Sequence, residues 1–130
     1  MLDITPSQAF TLDYLLSQKT NVYATKLHDA FKISKSAISS ILKGLKNKGY
    51  LRLESSREDE RKKIIILSDK AYRKKDMIHD CLMKQQKNLC LNITENEMEL
   101  CKHTLLKMLQ NMDDRRNEHD KNALITSKAI

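Results

Sequence analysis

Residues 33–49 read Ile33-Ser34-Lys35-Ser36-Ala37-Ile38-Ser39-Ser40-Ile41-Leu42-Lys43-Gly44-Leu45-Lys46-Asn47-Lys48-Gly49, and this stretch decides the fold. Ser34 is a helix N-cap residue, and Gly49 suits the left-handed position that ends a helix. Between them Ile38, Ile41, Leu42 and Leu45 recur at i, i+3, i+4 and i+7, the stripe of an amphipathic helix. The opposite face carries Lys35, Ser36, Ser39, Ser40 and Lys43, which are short hydroxyls and amines.

Upstream, Lys32-Ile33 leaves room only for a tight turn, so a second helix over 24–31 is expected, burying Leu27, Ala30 and Phe31. Residues 19–22 form a connector. Before them Thr5-Pro6-Ser7-Gln8 is a helix start in which Thr5 caps, Pro6 takes the first turn and Gln8 closes a capping box. Ala9, Leu12, Leu15 and Leu16 continue that helix as its apolar stripe. Downstream of Gly49 the period changes. Residues 51–54 alternate like a strand, 64–67 are a β-branched partner, and the loop 55–63 is dense in both charge signs. Ser68-Asp69 then opens a long helix to about Leu91, with Ile78, Cys81, Leu82 and Leu89 on one side. Thr94 and Glu97 make another capping box, and Met98, Cys101, Leu105, Met108, Leu109 and Met112 stripe the last helix. From Asp113 the chain is polar, and a frayed helix end with a loose tail is expected.

The expected architecture is mainly α with a small β-hairpin (α+β). It comprises a winged helix-turn-helix core over 1–70, a helical dimerisation region over 68–113 and a loose tail over 114–130. Composition agrees: two Gly and one Pro in 130 residues disfavour a turn-rich β-sandwich. With no Trp and two Phe, the core must be built from Leu, Ile and Met. Without an apolar run of membrane-spanning length or a signal peptide, a cytoplasmic protein is expected. Its Cys81, Cys90 and Cys101 should then be reduced thiols. Charge is uneven. Residues 1–75 hold 16 Lys/Arg against 8 Asp/Glu, whereas 76–130 hold 8 against 9. A basic first half joined to a neutral second half points to a polyanion-binding module with an appended region.

Two short helices joined by a three-residue turn, followed by a hairpin with a charged tip, form a winged helix-turn-helix. The second helix fits the DNA major groove, so Lys35, Ser36, Ser39, Ser40 and Lys43 are candidates to meet bases and phosphates. Tyr23, Thr25 and Lys32 are candidates to hold the flanking backbone. In the hairpin Arg57, Arg61, Lys62 and Lys63 surround Glu58-Asp59-Glu60. An arginine on a projecting loop suits the narrow minor groove, and Asp59 is assigned to orient the Arg61 guanidinium. Glu58 and Glu60 read better as neutralising charges of a surface loop.

Residues 22–71 resemble, without a gap, the DNA-binding core of MarR-type bacterial regulators. The likeness rests on the Leu27 helix, Ile33 through Ser39, Leu45 through Gly49, Asp59-Glu60-Arg61 and Leu67 through Lys70. Together with the Thr5–Gln8 start it extends over about 2–112. It implies a DNA-binding transcriptional regulator acting as a homodimer on an inverted repeat of double-stranded DNA, with response to a small-molecule effector. The family often has arginine where Ser40 stands and glycine where Lys32 stands, so base preference does not transfer. The family also has a helix ahead of the Thr5 helix that joins the dimer, and this chain begins four residues before Thr5. Either the chain is a shortened one, or its dimer is built chiefly from the two C-terminal helices, with Ile78, Leu82, Leu89, Met98, Cys101, Leu105, Met108, Leu109 and Met112 as the interface candidates.

Other chemistry finds less support. His79 with Cys81, and Cys101 with His103, are pairs at i and i+2, which point about 200° apart on a helix and cannot chelate one ion. No cofactor or metal is expected. A thiol redox sensor is a variant reading, though Cys81 and Cys101 fall on apolar stripes and read as small buried hydrophobes. No nucleophile–base pair, phosphate loop or carboxylate dyad is discernible, so no enzymatic activity is expected. The rival of another class is a winged helix whose basic face meets an acidic protein partner without specific DNA binding.

Overall fold

The computed structural model describes residues 2–128, with side chains placed as far as Asn122. The chain divides after Leu89 into two compact units. The first contains α1 (Pro6–Ser17), β1 (Val22–Tyr23), α2 (Ala24–Phe31), α3 (Lys35–Asn47), β2 (Leu51–Ser55), β3 (Lys63–Leu67), α4 (Asp69–Arg73) and α5 (Lys75–Leu89). The second contains α6 (Glu95–Lys128).

The capping box at α1 forms as expected: Thr5 Oγ1 accepts the Gln8 N–H at 3.3 Å, and Gln8 Oε1 accepts the Thr5 N–H at 3.1 Å. The same Oε1 accepts from Lys48 Nζ at 2.8 Å, tying the start of α1 to the end of α3. The two helices meet closely at Gly44, where a Cβ would stand 2.3 Å from Gln8 Nε2. Leu12 of α1, Leu27 of α2, Leu42 and Leu45 of α3, and Ile65 of β3 form one buried core, closed by Tyr50 and Ala71. Ser34 caps α3, accepting the Ala37 N–H at 3.2 Å. Gly49 follows the helix with φ 80°, a conformation that glycine adopts without a Cβ clash.

The sheet has three antiparallel strands in the order β1-β3-β2, one more than the expected hairpin. Val22 and Tyr23, assigned to a connector or to no strand, pair with Ile65 and Ile64. The hairpin register runs from Leu51 opposite Leu67 to Ser55 opposite Lys63.

Further departures concern helix ends and burial. Ala30 is exposed rather than buried, and Phe31 is half-buried. Phe31 packs edge-on against Tyr14 at 5.2 Å between ring centroids and tilted against Phe10 at 5.4 Å. The single helix expected from residue 69 is broken at Lys74 into α4 and α5, with neither Gly nor Pro at the break. Ile78 is wholly buried in the first unit, where α5 packs on α1. It belongs to the protomer's own core and is withdrawn from the expected dimer surface. Leu82 also packs, half-buried, on that core.

In the second unit Thr94 Oγ1 accepts the Glu97 N–H at 3.2 Å. Helix α6 continues to Lys128, well past Met112, so the tail expected to be loose is helical as far as the structure describes it. Residues 95–128 contain no Gly or Pro, and pairs such as Arg116 with Asp120 have the i, i+4 spacing of opposite charges that supports a helix without a core face. Residues 129–130 lie outside the described residues. Leu89 and, on α6, Leu105, Met108, Leu109 and Met112 are exposed, with Leu100 and Leu106 beside them. Met98 is half-buried. Cys101 is exposed, not buried, and Cys81 is only partly covered.

Candidate nucleic-acid interface

The interface is built on α3. Its inner residues Ile38, Leu42 and Leu45 are buried, which turns Lys35, Ser36, Ser39, Ser40 and Lys43 to solvent; all five are exposed. The C-terminal end of α3 is held by α4 and the turn before it: Lys70 Nζ donates to the Lys48 carbonyl at 2.7 Å and Ser68 Oγ to the Gly49 carbonyl at 2.6 Å. Tyr50, next in the chain, donates its buried hydroxyl to Asp3 Oδ1 at 2.6 Å. That bond holds the Asp3 carboxyl below its ordinary range. Burial first, and the Asp3 hydrogen bond second, push the Tyr50 phenol up to about 12. At the other end α2 stops at Lys32 in the left-handed region, φ 56°. His28 Nδ1 is hydrogen-bonded to the Ile33 carbonyl and so braces the turn between the helices.

The wing, β2–β3, carries an ordered tip. Ser56 is buried, its N–H donates to the Lys62 carbonyl at 2.9 Å, and its Oγ accepts the Glu58 N–H at 3.3 Å. Asp59, expected from the sequence to hold the Arg61 guanidinium, does not meet it. Its Oδ1 accepts the Arg61 main-chain N–H at 2.9 Å, and its carbonyl accepts the Lys62 N–H at 3.0 Å. A carboxylate two residues back reaches the backbone as an Asx turn more readily than it reaches a long side chain. Asp59 therefore shapes the tip and leaves the Arg61 side chain unpaired by it.

Between α2, α3 and the wing lies an open cleft of about 840 Å³. Of the expected residues it gathers Thr25, Lys35, Ser39, Lys43, Arg61 and Lys63 on one lining. Ser36, Ser40, Tyr23, Lys32, Arg57 and Lys62 are exposed but off that lining. Lys62 instead lies over the Tyr23 ring, Nζ 5.9 Å from its centroid, and Lys63 Nζ donates to Ser55 Oγ at 2.8 Å. Lys46, which sequence reasoning missed, completes the cationic lining; its spacing of three from Lys43 and seven from Ser39 was the available signal. Asp29 is the single carboxylate there.

An exposed hydroxyl-and-amine helix face, with a cationic wing beside it across a cleft, is the surface that a duplex requires. Residues 2–62 match the family model described as MarR family. Over those residues the winged helix is similar to the MarR family. The fold match extends beyond those residues. The transcription regulator MarR from Oenococcus oeni PSU-1 superposes with TM-score 0.66 at 24% identity, covering 83% of this chain and 81% of that one. MepR of S. aureus, solved as a DNA complex, superposes at 0.73 with 24% identity over 85% and 80%. A MarR protein from Peptoclostridium difficile DA00132 superposes at 0.71 with 18% identity over 85% and 72%. At these identities the likeness is one of fold, that of MarR-family transcriptional regulators. No curated protein matches the chain.

Among the described residues no three His, Cys, Asp or Glu side chains cluster as a metal site, and no helix is long and apolar enough to cross a membrane.

Proposed function

We propose that this chain is a MarR-type transcriptional regulator that binds duplex DNA sequence-specifically, without catalysis. In this reading the homodimer places one α3 in each major-groove half-site of an inverted repeat, with Arg61 in the minor groove. The observation that carries it is the shared exposure of Lys35, Ser39, Lys43 and Arg61 around the α3–wing cleft. Ser36 and Ser39 read bases, while Lys35, Lys43 and Lys62 contact phosphates. The dimer is assigned to the exposed face of α6, where Leu105, Met108, Leu109 and Met112 expose apolar carbon that a second copy would bury.

Anisotropy titrations against duplex DNA over a range of salt test the reading. Lys35→Ala and Lys43→Ala should weaken binding to all sequences and each lower the slope of log K against log salt by about one. Ser36→Ala and Ser39→Ala should change the sequence recovered by selection from random duplexes. Unchanged selection would remove α3 as the reading helix, and binding indifferent to salt would favour the protein-interaction alternative. Sedimentation at micromolar concentration should give a dimer; a monomer that still reads an inverted repeat would overturn the α6 assignment.

A further inference from the structure

The last carbonyls of a helix have no N–H of their own helix to meet. At the end of α3 the partners come from another element: Lys70 Nζ donates to the Lys48 carbonyl at 2.7 Å, and Ser68 Oγ to the Gly49 carbonyl at 2.6 Å. The Lys70 ammonium is itself held from two further sides. Asp3 Oδ2 lies 3.6 Å from it, and the ring of the wholly buried Tyr50 lies beneath it, 4.3 Å from Nζ to the centroid. Tyr50 in turn donates its hydroxyl to Asp3 Oδ1 at 2.6 Å and accepts from Lys74 Nζ at 3.5 Å. A lysine head usually moves freely on its flexible stem; here a carbonyl, a carboxylate and a ring fix it. A fixed cation at this end also complements the partial negative charge of the helix C-terminus. Lys70, Asp3 and Tyr50 all lie off the lining of the α3–wing cleft.

We propose that Lys70 is a positioning residue for sequence discrimination: anchored by Asp3 and Tyr50, it sets the angle of α3 without itself touching DNA. The proposal rests on the DNA-binding reading of α3 and adds a determinant of specificity to it. Ile38, Leu42 and Leu45 hold α3 to the core along one face, about which a helix can still rock. Its ends set the remaining angle. Before Lys35 stands the His28–Ile33 hydrogen bond; after Asn47 stand the Lys70 bond to the Lys48 carbonyl and the Lys48 side-chain bond to Gln8. Thirteen helical residues span about 18 Å, so rocking by about 5° at the anchored end moves the far end roughly 1.5 Å. Hydrogen bonds to base edges do not survive such a shift, whereas long, flexible lysines still reach phosphates. Loss of the Lys70 anchor therefore removes sequence discrimination and spares generic affinity.

The test uses the full chain and two duplexes, one recovered by the parent protein from random sequence and one a scrambled version of it, titrated by anisotropy over a range of salt. Lys70→Met keeps the stem and removes the ammonium. It should weaken binding to the selected duplex roughly tenfold, the effect of one misplaced base contact, and to the scrambled duplex less than about twofold. The slope of log K against log salt should stay that of the parent, whereas loss of a phosphate contact lowers it by about one. Lys70→Arg, which still donates to the Lys48 carbonyl and stacks on Tyr50, should keep the ratio within about threefold of the parent. Asp3→Asn still accepts from Tyr50 but loses the charge facing Lys70, and should lower the ratio a few-fold; it serves as the test should Lys70→Met not fold. In DNA-free protein Lys70→Met should shift the amide resonances of Ser36 and Ser39 and leave those of Leu12 and Leu15 in place. Equal weakening on both duplexes with a slope lowered by one would make Lys70 a phosphate contact and overturn the proposal. A parent that binds no duplex would sink the DNA-binding reading, while the amide shifts still decide whether Lys70 sets α3. If the parent discriminates and both Lys70→Met and Asp3→Asn discriminate equally well, only the present proposal fails.

Discussion

Replacing Gly44 by alanine should destabilise this protein, although helix propensity alone calls for the reverse. In an exposed helix interior the change gains about 1 kcal/mol. Here the new Cβ would stand 2.3 Å from Gln8 Nε2, and the amide must move. Gln8 is buried, and its Oε1 accepts from the Thr5 N–H at 3.1 Å and from Lys48 Nζ at 2.8 Å. Swinging the amide away loses a neutral hydrogen bond, roughly 1 kcal/mol, and a charge-assisted one, roughly 1.5 kcal/mol at a partly exposed site. The net expectation is a loss of about 1.5 kcal/mol after the propensity gain. Urea unfolding followed by circular dichroism, at one fixed protein concentration because the proposed dimer would shift apparent stability, measures it. In a Gln8→Ala background the obstacle is gone, and Gly44→Ala should stabilise by up to about 1 kcal/mol. Stabilisation of similar size in both backgrounds would show that Gln8 yields freely and does not set the α1–α3 spacing.

Three further outcomes are expected. Asp59→Ala should weaken specific DNA binding up to about tenfold by releasing the Arg61 main chain, whereas Asp59→Asn, which still accepts that N–H, should nearly restore it; tighter binding by both in an anisotropy titration would mean that charge alone matters. Lys32→Gly should raise stability by roughly 1 kcal/mol, since a lysine held at φ 56° bears a left-handed strain that glycine lacks; a lower melting temperature would refute this. Tyr50 is held at about 12 against an ordinary 10.0, so its protonated form contributes stability that is complete below pH 10 and is lost as pH rises from 10 through 12. The melting-temperature difference between the parent and Tyr50→Phe should shrink across that window, and a constant difference would exclude the linkage.

Much of this architecture was legible because its signals are local. Thr5-Pro6-Ser7-Gln8, the Ser34 cap and Gly49 are each satisfied within a few residues of themselves, and their geometry follows from sequence spacing. What escaped depends on partners far along the chain. Two residues, Val22 and Tyr23, are too few to show a period, and they become a strand only because Ile64 and Ile65 lie beside them. The break at Lys74 carries no Gly or Pro to announce it. Ile78 looked like a surface stripe residue until α1 covered it. Beyond Met112 a helix without an apolar face gives no periodic signal, whatever its propensity. On α3 the outward residues could be listed from the stripe they oppose. Which of them share a cleft with Arg61 depends on the angle of the wing, so Lys46 was missed and Ser36 and Ser40 were grouped with the rest.

The two-residue strand β1 has a consequence for how such a regulator acquires new targets. Because β3 is paired on both sides, to β1 at Ile64–Ile65 and to β2 along its length, the base of the wing is fastened independently of its tip. The tip closes on itself through the Ser56 N–H and the Lys62 carbonyl. Length and charge between those two residues can therefore drift, by insertion or by recombination with a relative, while α3 keeps its place. On the proposed reading, minor-groove reach and major-groove reading become separately heritable traits of one small domain.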